Sequence, residues 1–203
     1  MKTALLTLIF FLVYVPEQVS AMRVNPLTLE QMIEKAEIVF VGQCLTSTAQ
    51  EDSYFGQTIT VTEFAVSEVL KGNLGKTHQI KHYGGAFEGN SRHIVGMPTY
   101  TPGQDVILFL YGESQYGLTS PVGIWQGVFN FVGDGESSSP SMVVNGINNT
   151  GLLLGFHFDM LLNAERLSDP QRKAIQRQAR VNRGPILYED FRLITKMLIG
   201  SNE

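Results

Sequence analysis

Four histidines, one cysteine and a few short polar clusters are the groups that could carry chemistry in this 203-residue chain. His78 and His82 are four residues apart, a spacing that on a helix would put both imidazoles on one face, ready to chelate zinc. In a strand the same spacing separates the Cα atoms by about 13 Å, too far to clasp one ion. The alternation around Ile80 predicts a strand, and no Glu sits between the two histidines as a zinc-protease helix requires. Both residues therefore read as half-buried or surface histidines. Gly75-Lys76-Thr77 imitates the end of a phosphate-binding loop, but the first glycine of that pattern would fall on Leu70, and the segment leads into a strand. Gly112-Glu113-Ser114-Gln115-Tyr116 lacks the second glycine of a hydrolase nucleophile elbow. No spacing assigns a catalytic residue, a metal ligand or a cofactor site. Cys44 shares one side of its predicted strand with Ile38 and Phe40, which makes it a small core residue.

What remains is surface chemistry. Tyr83, Tyr100, Tyr116 and Trp125 are amphipathic rings of the kind that small barrels present to ligands, and each is equally suited to the core, Trp125 more so. With the glycine-rich loop that begins at Gly84, they define a candidate binding surface of Tyr83, Gly84, Gly85, His93 and Tyr100. Asn148-Asn149-Thr150 is a glycosylation sequon, meaningful in a eukaryotic host.

The elements that must hold these groups are short strands. Composition points the same way, with 43% apolar residues, 17% charged, Gly 20 and Pro 8. Thr28 and Gln31 have capping-box spacing and open a helix from Leu29 to about Ala36. Strands follow at Ile38–Leu45, from Ile59 to Leu70, and at Thr77–Tyr83, with a shorter one at Arg92–Val95. In the second of these the apolar residues move from odd positions (Ile59, Val61) to even ones (Phe64, Val66), which predicts a β-bulge near Thr62–Glu63. Val106–Tyr111 is apolar at every position, so it is a strand covered on both faces. Residues Gly117–Val122 and Ile124–Val132 read as a closing hairpin. The fold expected is mainly β: a small closed or partly open Greek-key barrel of OB type with a short N-terminal helix and a C-terminal helical tail. That barrel spans 22–132, followed by a flexible Gly/Ser/acidic linker over 133–149 and a helical extension over 150–203. In the extension, Ser168 caps a polar helix, and Leu187, Phe191, Ile194 and Leu198 form one apolar stripe of a last helix.

The formal net charge of −4 excludes a strongly basic nucleic-acid binder. Charge is divided, with 13 Asp and Glu against 6 Lys and Arg in 22–163, and 5 against 8 in 164–203. The basic tail has no interleaved aromatics for base stacking, so nucleic acid is set aside as a partner. Lys2, the apolar run Ala4–Val15, Pro16 and the small residues Val19 and Ala21 read as a signal peptide over 1–21, cleaved between Ala21 and Met22. Twelve apolar residues span roughly 18 Å as a helix, short of the hydrocarbon core, so no transmembrane anchor is expected after cleavage. The protein is thus expected to be secreted or periplasmic, and its single cysteine leaves the barrel without disulfide staples.

Leu27-Thr28-Leu29-Glu30, Ala36-Glu37-Ile38-Val39-Phe40-Val41-Gly42, Glu68-Val69-Leu70-Lys71-Gly72, Gly84-Gly85, Val95-Gly96-Met97-Pro98-Thr99-Tyr100, Pro102–Leu110 and Gln126-Gly127-Val128-Phe129 follow in an order that resembles a group of exported bacterial proteins. The likeness covers about Leu27 to Phe131. More remotely, the layout is similar to the netrin-like barrel of tissue inhibitors of metalloproteinases. That resemblance implies a barrel and a metalloprotease partner. The chain departs from the inhibitors at Met22, where they carry a zinc-chelating N-terminal cysteine, and it lacks their disulfides. The expectation is an exported, non-enzymatic module that binds a protein or cell-envelope partner. The alternatives are a hydrolase assembled in the fold from Ser114, His93 or His157 and a carboxylate, or a structural envelope protein whose basic tail holds anionic polymers.

Overall fold

The computed structural model describes residues 25–54, 56–92, 94, 96–133, 141–155, 169–178 and 183–201. Ala21, Met22, His93 and His157, with the rest of the expected signal peptide, lie outside these. The capping box forms as expected: the Thr28 hydroxyl accepts the Gln31 N–H at 3.2 Å, and the Thr28 N–H reaches the Gln31 side chain at 3.1 Å. It starts helix α1, Leu29–Lys35. The far end of α1 is closed by Lys71, whose Nζ donates to the carbonyls of Ile33 and Ala36 at 2.7 and 2.6 Å. A cation at a helix C-terminus satisfies carbonyls that have no partner within the helix.

Strands β1 (Ile38–Asp52), β2 (Gln57–Lys71) and β3 (Thr77–Tyr83) form a meander, and β4 (Gly85–Phe87) pairs with β5 (Asn90–Arg92) as a small separate ribbon. The chain then returns through β6 (Asp105–Leu110) to lie on the open side of β1, and β7 (Val128–Val132) and β8 (Met142–Asn145) extend the sheet. The antiparallel order is β3-β2-β1-β6-β7-β8-β9, where β9 is Ile186–Leu187. The placement of β6 beside β1 is a Greek key. β3 and β9 are the edges of the sheet and do not pair, so the barrel is partly open. Helices α2 (Asp169–Gln178) and α3 (Tyr188–Ser201) complete the described chain. No helix among the described residues is long and apolar enough to cross a membrane.

The sheet is buried on both sides along its centre. Val39 and Val41 of β1, with Ile107 and Phe109 of β6, face α1 and α3; Phe40, Cys44, Val106, Leu108 and Leu110 face the barrel interior. Cys44 is thus a buried core thiol, and burial raises its pKa. On the helical side Phe129 sits between Phe109 and Phe191, with ring centroids at 5.5 and 4.6 Å. Inside the barrel, Phe40 and Phe64 meet edge to face at 5.7 Å. The stretch 133–149 was read as a linker from its Gly and Ser content, yet it contains β8, and Val143 of β8 is fully buried. Phe191, Ile194 and Leu198 of the expected tail stripe belong to the same core, whereas Leu187 pairs with Met142 as a strand residue.

The predicted bulge lies one strand over. β2 pairs with β3 in unbroken register from Ile59 to Ala65, and the extra residue at that level is Leu45 of β1, between Cys44↔Phe64 and Thr46↔Glu63. Further shifts occur on β2 at Ser67 and Leu70. A bulge on either strand moves the pairing by one residue, so the pattern of β2 alone could not say which strand carried it. Between two of these shifts lies Gly42. A Cβ there would stand 2.6 Å from the Ala65 carbonyl oxygen and 2.9 Å from the Phe40 ring.

The C-terminal helix is tied to β2 by one carboxylate. Glu68 accepts a bidentate pair from Arg192 at 2.6 and 2.7 Å and a further contact from Lys196 at 2.6 Å. Hydrogen bonds from Arg192, followed by Lys196, hold its pKa down to about 2 against its partial burial. Arg177 of α2 makes a second bidentate pair with the buried Asp190 of α3.

Gly42→Ala should lose about 2 kcal/mol of stability in urea denaturation, because a backbone carbonyl cannot move aside as a flexible side chain would. Glu68 is ionised more readily in the folded chain than its ordinary value of 4.5 allows, so its contribution is complete above about pH 4.5 and lost as pH falls toward 2. Part of the group is solvent-screened, which reduces the expected contribution to about 1–2 kcal/mol. Glu68→Gln should remove it at pH 7 and flatten the acid limb of the stability profile.

Candidate functional site

The gap between β6 and the β3 edge is crossed by a strap, residues 111–121. Leu110 bridges to Pro121, and the Tyr111 N–H donates to the Ser120 carbonyl at 3.1 Å. At the other side the Thr119 N–H donates to the Lys81 carbonyl of β3 at 2.9 Å. Even-numbered β3 residues spend their backbone groups on β2, as the Gly84 N–H to Thr58 carbonyl bond of 2.9 Å shows, so the Lys81 carbonyl points outward and is available to the strap. Inside the strap the Ser114 hydroxyl accepts the Leu118 N–H at 3.2 Å, and the Thr119 hydroxyl donates to the Tyr111 carbonyl at 2.7 Å.

A cleft of about 340 Å³ opens where strap and β3 meet, lined by His82, Tyr83, Met97, Tyr111, Gly112, Ser114, Tyr116, Leu118, Thr119 and Ser120. Among the described residues its walls carry no Asp, Glu, Lys or Arg. Beside it, a second hollow is lined by Asp52, Tyr54, Gln115 and Tyr116 at the tip of the β1–β2 hairpin. The Tyr54 and Tyr116 rings lie 5.6 Å apart and tilted by 37°, with 76% and 47% of their surface exposed. Tyr111 is 39% exposed. Four tyrosines thus converge on one mouth of the barrel.

The histidines sit inward. His78, Ile80 and His82 are register partners of Phe64, Thr62 and Thr60, and paired residues share a sheet face. Burial lowers the pKa of His82, and it lowers that of His78 against an opposing pull from Glu113. Both are therefore favoured as neutral imidazoles. The strand geometry expected for this pair holds, and no group of three potential metal-ligating residues occurs among the described residues.

Of the expected surface of Tyr83, Gly84, Gly85, His93 and Tyr100, Tyr83 lines the cleft, Gly84, Gly85 and Tyr100 do not, and His93 lies outside the described residues. Gly84 is buried, with its carbonyl accepting the Thr60 hydroxyl at 2.7 Å. Gly85 has φ +133, and a Cβ there would meet the Thr60 hydroxyl at 2.6 Å and Ala49 Cβ at 2.7 Å, so it serves close packing of β4 on the sheet. Tyr100 is core: it packs edge-on against Phe64 at 5.1 Å and stands 6.5 Å from the His82 ring. Its hydroxyl is buried with no hydrogen-bond partner among the described residues, and burial drives its pKa far upward. Tyr54, in the turn between β1 and β2, and Tyr111, at the end of the Val106–Tyr111 run, join this surface without having been expected there. An aromatic ring inside an otherwise polar turn was the available signal.

Comparison with protein-family models, with curated proteins and with solved structures finds no match for this chain.

Tyr100→Phe should stabilise the protein by about 1 kcal/mol, since it removes a buried hydroxyl that gains nothing in the fold. Thermal and urea unfolding of the variant measure this directly; a loss of stability would show that the hydroxyl has a partner.

Proposed function

We propose that this protein is an exported, non-enzymatic binding module whose working face is the tyrosine-lined barrel mouth. The observation that carries the reading is the convergence of Tyr54, Tyr83, Tyr111 and Tyr116 from three separate segments onto two adjoining hollows. Tyrosine rings supply large contact area and a polar tip at small conformational cost, which suits them to recognition surfaces. The hydroxyls that might otherwise react are spent on the strap itself, Ser114 as an acceptor for backbone N–H groups and Thr119 as a donor to Tyr111. Export to the periplasm or outside the cell is supported by the Ala4–Val15 run and the Val19-Ser20-Ala21 site, which have the pattern of a cleaved signal peptide. Its partner is a protein or envelope component, and a secreted metalloprotease is the class that the netrin-like resemblance implies.

Surface plasmon resonance of the purified chain against metalloprotease catalytic domains and cell-wall glycan fragments tests the reading. Saturable binding to one of them is expected, weakened about ten-fold by Tyr111→Ser, as loss of an aromatic anchor at an interface does. Turnover of peptide, ester or glycan substrates that Ser114→Ala abolishes would overturn it, as would the absence of binding across the panel.

A further inference from the structure

Within that binding reading, we propose that the cleft between the strap and β3 receives an uncharged phenolic ring, whose hydroxyl hydrogen-bonds to His82. His82 lines the cleft, is only 6% exposed, and its ring has no hydrogen-bond partner among the described residues. A largely buried polar group without a partner is costly, so a ligand that supplies one is favoured there. Burial lowers the His82 pKa and keeps the ring neutral near pH 7, with one N–H donor and one bare nitrogen acceptor. A phenolic hydroxyl both donates and accepts, so it matches either nitrogen.

The rest of the lining selects the body of the ligand. Met97, Leu118 and Tyr111 contribute a thioether, an aliphatic chain and an accessible ring. Thioether sulfur and tyrosine both pack favourably on aromatic rings. The Ser120 hydroxyl also lines the cleft without a partner among the described residues, and it offers a second hydrogen bond to the same phenolic oxygen. A volume of about 340 Å³ is at the small end for ligand pockets and suits one ring better than an extended chain. A sugar of that size would carry several hydroxyls against walls that can satisfy few of them. A carboxylate would meet a neutral imidazole and, among the described wall residues, no lysine or arginine to balance it.

An NMR titration of the isotope-labelled full chain tests this at about pH 7.5, where phenol and His82 are both neutral. Phenol is compared with toluene, which has the same shape and no hydroxyl. Phenol should bind saturably, about five-fold more tightly than toluene, and shift the His82 ring nitrogens and the backbone amides of Leu118, Thr119 and Ser120. His82→Phe keeps a ring in place and should abolish the preference for phenol. Ser120→Ala, at a half-buried position, should reduce that preference about two-fold in a chain whose fold is undisturbed. N-acetyltyrosinamide carries the same phenol on a peptide backbone. If it binds as tightly as phenol, the ring comes from a tyrosine of a partner protein; if it is excluded while phenol binds, the ligand is a free phenol. Equal or tighter binding of toluene, tighter binding of benzoate, or shifts remote from His82 would each overturn the proposal. A protein partner whose binding depends on Tyr111, with His82 signals that phenol leaves unmoved, would overturn it too while leaving the binding module intact.

Discussion

Two adjacent stretches, Val39–Gly42 of β1 and Val106–Leu110 of β6, have no face to give to water, and the architecture follows from covering them. Their alternating residues divide between two apolar clusters, so each strand needs a layer on either side. On one side α1 and α3 supply it, with Phe191 closing over Phe109 and Phe129. On the other side the sheet curls so that β2 and β3 bring Phe64 and Ile80 over Phe40, Cys44 and Leu108. A flat sheet would leave that second face wet. The bulges at Leu45, Ser67 and Leu70 give β1 and β2 the added twist and bend that the curl requires.

Curling without strand-to-strand closure leaves a seam, and the seam is where the tyrosines gather. The strap reaches β3 through the backbone hydrogen bond at Lys81, and its Ser114 and Thr119 hydroxyls bond within the strap. Its own rings, Tyr111 and Tyr116, consequently face outward beside Tyr83 and Tyr54. The polar contacts that fix the framework lie elsewhere. Gln126 is fully buried and holds the incoming chain at Leu27 and Asn25, while Asn145 and Asn149 clasp each other's backbone and reach Gly184.

Much of the secondary structure was legible. The Thr28–Gln31 box, the Thr77–Tyr83 alternation and the two-faced run at Val106–Leu110 are local patterns, and each has one structural solution that satisfies it. Where the reading slipped, a long-range contact had overridden composition. Met142–Asn145 looked like part of a linker because of its Gly- and Ser-rich neighbours, yet pairing with Phe129–Val132 makes it a strand. Leu187 fitted a helical stripe, but its backbone pairs with Met142. Tyr100 looked like a presented ring and is instead packed beneath His82, because nothing in Pro98-Thr99-Tyr100 indicates which way the chain turns after it.

The chain by itself determined helix α1, the strands at the centre of the sheet, and that Cys44 and the β1 and β6 runs are interior. It could do so because capping and alternation act over a few residues. Only the tertiary structure decided that α3 belongs to the barrel, through Glu68 and Arg192, which are 124 residues apart in sequence. The same holds for the tyrosine mouth, where Tyr54, Tyr83 and Tyr111 arrive on three elements whose approach depends on how far the sheet curls before the strap can reach β3. Curl and closure come from bulges and packing summed over the whole barrel, and no local window of the sequence contains that sum.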